Sequence, residues 1–147
     1  MTRFSFWAMV RPAMPMPTDP RRPTLPLESL EQRAAGDALL ARFGRDLSLA
    51  LLVGDSELDW LVEIEHGVVV RVTKGPLVMP KTDLRLRAAS ETWARFLEPV
   101  PPPGYHDLFA MRRYRRIQIE GDIRLMSAYL FYIKRLFELL RPGKAKP

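Results

Sequence analysis

Five short runs of alternating apolar and polar residues, set among four segments of helical periodicity, predict an α+β fold in two layers. The expected architecture is a five-stranded, mainly antiparallel sheet with helices on one face. Each alternating run has one apolar and one polar face, as in a sheet that is wet on one side and covered on the other. The chain has 147 residues, 47% hydrophobic and 27% charged, which suits one domain with a real core.

The elements follow in order. Residues 28–43 are rich in Leu, Ala, Glu, Gln and Arg, with Leu27, Leu30, Ala34 and Ala38 along one face and Gly44 as a stop, so one amphipathic helix is expected. Pro26 suits its first turn, where a missing N–H costs nothing. A first strand over 46–53 turns Leu47, Leu49, Leu51 and Val53 to one side. A second over 57–65 alternates Leu58, Trp60, Val62 and Ile64 with acids, and His66-Gly67 makes a tight turn. The third, over 68–73, is expected to point Val68, Val70 and Val72 inward. Strands over 83–88 and 115–120 carry Leu84, Leu86, Ala88, Ile117 and Ile119 on their apolar faces. Acids on the second strand face arginines on the third and fourth, which allows cross-strand pairs.

Between the last two strands, Ser90 is placed to cap a helix over 91–97 whose Trp93, Phe96 and Leu97 face inward. A rigid break at 99–104 precedes a short helix over 105–114. Asp122 then caps a long helix running to Leu140. Its apolar arc is roughly 220° wide, against the ~100° that buries an amphipathic helix. Ile123, Met126, Leu130, Ile133, Phe137 and Leu140 suffice to pack it down. Leu125, Tyr129, Tyr132, Leu136 and Leu139 remain to be covered by more protein, a second subunit, a membrane or a lipid.

Composition excludes several functions. There is no cysteine, hence no disulfide, thiolate catalysis or cysteine-bound metal, which suits a cytoplasmic setting. The formal charge is +6, but residues 28–141 carry only +1, residues 1–27 carry +3 and residues 142–147 carry +2. The excess sits in the tails, so nucleic acid is not the expected partner. The eight glycines are never closer than eight residues apart, so no phosphate-cradling glycine loop can form. No serine has a nucleophile context, no histidine spacing supports a metal, and no cofactor is expected. His106 and Asp107 are the residues on which any catalysis would centre, but neighbours in a helix diverge, so they make a poor acid–base pair. Arg112, Arg113, Arg115 and Arg116 around Tyr114 are the one basic cluster within the fold, read as solvated arginines or as a contact for a phosphate or anionic headgroup.

Three strings, taken together, resemble the sterol carrier protein lipid-transfer domain. The hairpin Val62-Glu63-Ile64-Glu65-His66-Gly67-Val68-Val69-Val70 is similar to its central strand–turn–strand unit. Thr82-Asp83-Leu84-Arg85-Leu86-Arg87-Ala88-Ala89-Ser90-Glu91-Thr92-Trp93 resembles its strand running into a helix, and Ile117-Gln118-Ile119-Glu120-Gly121-Asp122 its last strand with Gly-Asp before the final helix. The resemblance covers residues 27–141; the proline-rich arm, the 99–104 break, the arginine cluster and the Lys146-Pro147 ending depart from it.

The resemblance implies non-catalytic binding of a sterol, fatty acyl or similar apolar ligand in a tunnel between sheet and helices, with transfer of that ligand left open. The expected lining is Leu84, Leu86, Phe96, Phe109, Ile117, Met126, Leu130 and Ile133, inward residues of two strands and of the helices facing them. The alternative is a protein–protein or accessory module that packs its C-terminal helix on a partner enzyme or a second copy. Residues 1–26 are expected to be a disordered proline-rich arm whose Phe4, Phe6, Trp7 and arginines touch an anionic membrane surface, and residues 142–147 a basic tail.

Overall fold

The computed structural model describes residues 25–142, so the expectations for residues 1–24 and 143–147 lie outside the described residues. A 3-10 turn, Leu27–Ser29, leads into helices α1 (Leu30–Ala34) and α2 (Ala38–Phe43), then strands β1 (Leu49–Gly54), β2 (Asp59–Glu65), β3 (Val68–Lys74) and β4 (Leu84–Ala88). Helices α3 (Ser90–Phe96) and α4 (Leu108–Arg113), strand β5 (Ile117–Gly121) and helices α5 (Ile123–Ala128) and α6 (Leu130–Glu138) complete the chain. The sheet order is β3-β2-β1-β4-β5, with β1 and β4 parallel and every other pair antiparallel.

Register explains the two faces. Val72, Val62, Leu51 and Leu84 lie in one row, and Trp60, Val53, Leu86 and Ile119 in the next. These rows form the dry face, on which Trp60, Val62, Leu51, Val53, Leu84 and Leu86 are buried. On the other face Asp59, Gly54 and Arg87 share a row. A Cβ on Gly54 would collide with Asp59 Oδ1, so the bare glycine lets Asp59 reach across β1 to Arg87 at 3.0 Å. Glu63 and Arg71 form the other expected cross-strand pair at 3.8 Å. This face is not uniformly wet: Leu52 is buried there, beside Leu77, Met79 and Pro80 of the β3–β4 loop.

Four local expectations are corrected. The first helix breaks at Ala35, Gly36 and Asp37: Gly36 takes a φ of +74° and Asp37 starts α2 afresh, accepting from the Leu40 N–H at 2.9 Å. In β3 the pairing slips, with Glu63 opposite Arg71 but Ile64 opposite Val69. Val70 is thereby the extra residue of a β-bulge, which turns Val69 inward and leaves Val68 and Val70 exposed. Ser90 is the first residue of α3 rather than its cap; Ala89 holds the N-cap position with no side-chain bond. The long C-terminal helix is two, broken at Tyr129 (φ −112°, ψ 29°), although Asp122 caps α5 as expected by accepting from the Leu125 N–H at 3.0 Å.

The break matters because it disposes of the surplus apolar arc. Tyr132, Leu136 and Leu139 are buried and Leu125 and Tyr129 half-buried within this one chain. α2 packs on α6, the Tyr132 ring lies against Gly44, and its hydroxyl donates to the Gly67 carbonyl at 2.9 Å. Arg33 of α1 donates to the Leu139 carbonyl at 2.9 Å. The first two helices are therefore the cover that the C-terminal segment requires.

The Gly-Asp string after β5 also acquires a physical reason. Gly121 has a φ of +107° and a Cβ there would strike the Asp83 carbonyl, which accepts the Asp122 N–H at 2.9 Å. Asp83 in turn exchanges bonds with Ala50, accepting its N–H at 2.8 Å and donating to its carbonyl at 2.9 Å. The start of β4, the end of β5 and the start of α5 are thus tied at one point.

Candidate functional site

The structure brings the expected lining together in the core. Leu84 and Leu86 on β4, Ile117 on β5, Phe96 on α3, Met126 on α5 and Ile133 on α6 are buried members of one cluster, with Phe109 of α4 packed against it. Leu130, at the start of α6, is half-buried. The cluster also holds residues left out of that expectation. Trp93 stacks on Phe137 with centroids 5.6 Å apart, and Phe96 meets both rings edge-on at 5.8 and 5.5 Å. Trp93 is fixed by its Nε1–H, which donates to the Gly54 carbonyl at 2.8 Å. Both rings lie on the inward stripes that helical periodicity marks, so the signal for them was present.

An apolar hollow of about 320 Å³ opens between the α1–α2 pair and the β2–β3 hairpin. Its floor includes the core residues Leu40 and Val69, its walls Ala34, Ala38 and Ala41, and its rim Glu31, Arg45 and His66. None of the eight expected lining residues borders it. It lies where Gly36 and Asp37 part α1 from α2, and the bulge at Val70 turns Val69 toward it. The string Ala34-Ala35-Gly36-Asp37 carried the signal, since glycine followed by a capping aspartate inside a helical pattern marks a restart.

Three polar anchors set the shape of this mouth. Asp37 binds Arg135 of α6 through two bonds, Arg135 Nη2 to Oδ2 at 2.7 Å and Nε to Oδ1 at 3.3 Å. The Arg135 guanidinium holds the Asp37 carboxyl below the usual carboxylate range, and Asp37 raises Arg135 in return. Glu31 accepts the Val72 N–H at 2.7 Å, joining α1 to the edge strand just past the bulge. At the hairpin, His66 and Gly67 both have positive φ, +48° and +80°, and the Gly67 N–H donates to the Leu47 carbonyl at 2.8 Å. Burial pushes the Tyr132 phenol up to about 12.

A smaller hollow of about 120 Å³ is bordered by Phe96, His106, Leu108, Lys134 and Arg141. Here the expectation for His106 and Asp107 is corrected: His106 Nε2 lies 3.0 Å from Asp107 Oδ2. The two residues precede α4 rather than sitting in it, and Asp107 is extended, so the divergence of helical neighbours does not apply. Asp107 Oδ1 also accepts the Ala110 N–H at 2.8 Å, which makes it the cap of α4. Arg141 is buried; its Nε donates to the Phe96 carbonyl at 3.1 Å, and desolvation lowers its pKa.

Among the described residues, no helix is long and apolar enough to cross a membrane. No family model matches the sequence, and a comparison with curated proteins returned no match. Solved structures do match. A crystal structure of sterol carrier protein 2 superposes with a TM-score of 0.62 at 14% identity, over 78% of this chain and 92% of that one. The chain has a sterol carrier protein-like fold. A solution structure of a conserved hypothetical protein from Thermus thermophilus, described as possibly a sterol carrier protein, gives a TM-score of 0.60 at 15% identity over 81% and 86% of the two chains. The ubiquinone synthesis protein UbiJ-SCP2 gives 0.50 at 14% over 78% and 90%. The sterol carrier protein-like fold spans the sheet and its helical cover, and at these identities the likeness is one of fold.

Proposed function

We propose that this protein is a non-catalytic lipid carrier that binds, and transfers, a fatty acyl, sterol or similar apolar ligand between the dry face of the sheet and its helices. The observation that carries this reading is the apolar hollow whose floor is made of core side chains. A ligand tail entering there would part Leu40 and Val69 to reach the dry layer, where Leu84, Leu86, Phe96, Phe109, Ile117, Met126, Leu130 and Ile133 would form its walls. Its volume falls at the lower end of small-ligand sites, which are largely apolar with a few polar groups at the rim. The sterol carrier protein-like fold supports the same class of ligand, and the absence of cysteine is in keeping with a cytoplasmic carrier. No cofactor enters this reading, and Asp107 has a place in it as the cap of α4.

The reading that the C-terminal helix docks on a partner enzyme or a second copy loses the surface that motivated it, because α2 and the hairpin turn cover that arc. What remains exposed on that side is Leu39, Phe43 and Phe131, with the two phenylalanine rings 5.7 Å apart.

The test is a titration with fluorescent fatty acyl and sterol probes, in wild type and in Ala41→Trp. Ala41 is exposed on the wall of the hollow, so an indole there blocks the mouth and leaves the core untouched. Binding of at least one probe that weakens tenfold or more in the variant is expected. Saturable binding that ignores the indole would place the ligand elsewhere, and no binding of either probe would end the lipid-carrier reading.

A further inference from the structure

The turn from α4 to β5 holds four arginines in five positions, Arg112, Arg113, Arg115 and Arg116, with Tyr114 at its centre. Its backbone closes as a Schellman motif: the Arg116 N–H donates to the Met111 carbonyl at 2.9 Å and the Arg115 N–H to the Arg112 carbonyl at 3.0 Å. The first residue beyond the C-cap of such a motif takes the left-handed conformation and is usually glycine. Here that residue is Arg115, at a φ of +56°. A β-carbon disfavours this conformation, so the turn holds an arginine where glycine would be more stable.

The charge at this turn is not neutralised. Arg112, Arg113 and Arg115 are exposed and make no ion pair among the described residues, whereas Arg71, Arg87, Arg95 and Arg135 each face a carboxylate. Arg116 is clasped between Tyr105 and Tyr114, 4.2 and 5.0 Å from their ring centroids, and its buried Nη1 has no hydrogen-bond partner. Tyr114 is 59% exposed in the middle of the patch. Residues 28–141 carry a net charge of only +1, and these four arginines in five positions are the densest run of cations in that stretch.

We propose that this turn is a docking surface for the phosphate headgroups of an anionic bilayer. A compact cluster of unpaired arginines complements a dense array of phosphates met at one point, and an exposed tyrosine suits the boundary between headgroups and acyl chains. Nucleic acid would instead be held by a basic stripe or face, which a nearly neutral fold does not offer. The choice of a bilayer also rests on the lipid-carrier reading, in which cargo must be collected from a membrane.

The experiment uses the full chain and measures co-sedimentation with vesicles of phosphatidylcholine mixed with phosphatidylserine, and with vesicles of phosphatidylcholine alone. Each basic residue near an anionic surface contributes about 1 kcal/mol, which is roughly fivefold in affinity. Arg115→Gly is expected to weaken binding to the mixed vesicles roughly fivefold while the protein melts at the same or a higher temperature. The pair Arg112→Gln and Arg113→Gln leaves the left-handed residue in place and is expected to weaken binding about twentyfold. Wild-type binding should fall with salt and be weak on phosphatidylcholine alone. Unchanged binding by both variants overturns the proposal. So does a mixed-sequence RNA duplex that wild type holds more tightly than vesicles and both variants release. Binding of apolar probes in solution, measured without vesicles, should be the same in wild type and Arg115→Gly, so failure of the docking surface and failure of the carrier reading give different results.

Discussion

Replacing Asp37 tests how the helical cover is fastened to the C-terminal segment. This one carboxylate caps α2 through the Leu40 N–H and grips Arg135 on α6 through two bonds, with side-chain exposures of 8% and 14%. Loss of an N-cap costs about 1 kcal/mol. Removing one partner of a buried pair costs about 3–5 kcal/mol when the other is stranded. Arg135 keeps Glu138 at 3.5 Å and some access to water, so about 2 kcal/mol is the better figure for that part. Asp37→Ala should therefore lose about 3 kcal/mol in urea unfolding monitored by tryptophan fluorescence. Asp37→Asn, which can still cap, should lose about 2 kcal/mol. Because Asp37 titrates below its ordinary range when folded, its contribution is complete above the unfolded value near 3.8 and is lost as pH falls through the folded value. Wild type should thus lose more stability than Asp37→Asn as pH falls from about 5 toward about 2. A loss under about 1 kcal/mol in Asp37→Ala, or parallel acid profiles for wild type and Asp37→Asn, would refute the claim that this pair fastens the cover.

Two further substitutions probe the anchor at the hairpin turn. Tyr132→Phe leaves the buried Gly67 carbonyl without its donor and should cost about 1–2 kcal/mol. The folded phenol titrates at about 12, above its unfolded value of 10.0, so wild type should lose stability as pH rises from 10 through 12, and Tyr132→Phe should lack that loss. Gly67→Ala would force a β-carbon against the Gly44 carbonyl at a φ of +80°, and should lower stability by more than about 2 kcal/mol in the same urea assay.

The strands were legible because alternation is a local property: Trp60, Val62 and Ile64, or Leu84 and Leu86, announce a dry face without reference to anything else. The Gly121-Asp122 turn was legible for the same reason. The departures have tertiary causes. Nothing in Ser127-Ala128-Tyr129 breaks a helix by propensity; the break lets α6 turn Tyr132, Leu136 and Leu139 onto α2 and Gly44. The bulge at Val70 lies where Glu31 of α1 meets the edge strand, and three valines in a row could not reveal which of them would point inward. For the site, periodicity found the residues that face the core, but the hollow is bordered by the break between α1 and α2 and by the hairpin turn. Its signal was the short string Ala35-Gly36-Asp37, which a continuous amphipathic pattern on either side obscured.

An apolar molecule held in the layer between sheet and helices would be detected by native mass spectrometry of the intact protein, followed by solvent extraction. The expected result is an added mass that is lost on unfolding, recovered as a fatty acyl or sterol-class lipid, and depleted in Ala41→Trp. A protein that flies at its bare mass, yields no lipid on extraction and takes up none when offered vesicles would contradict it.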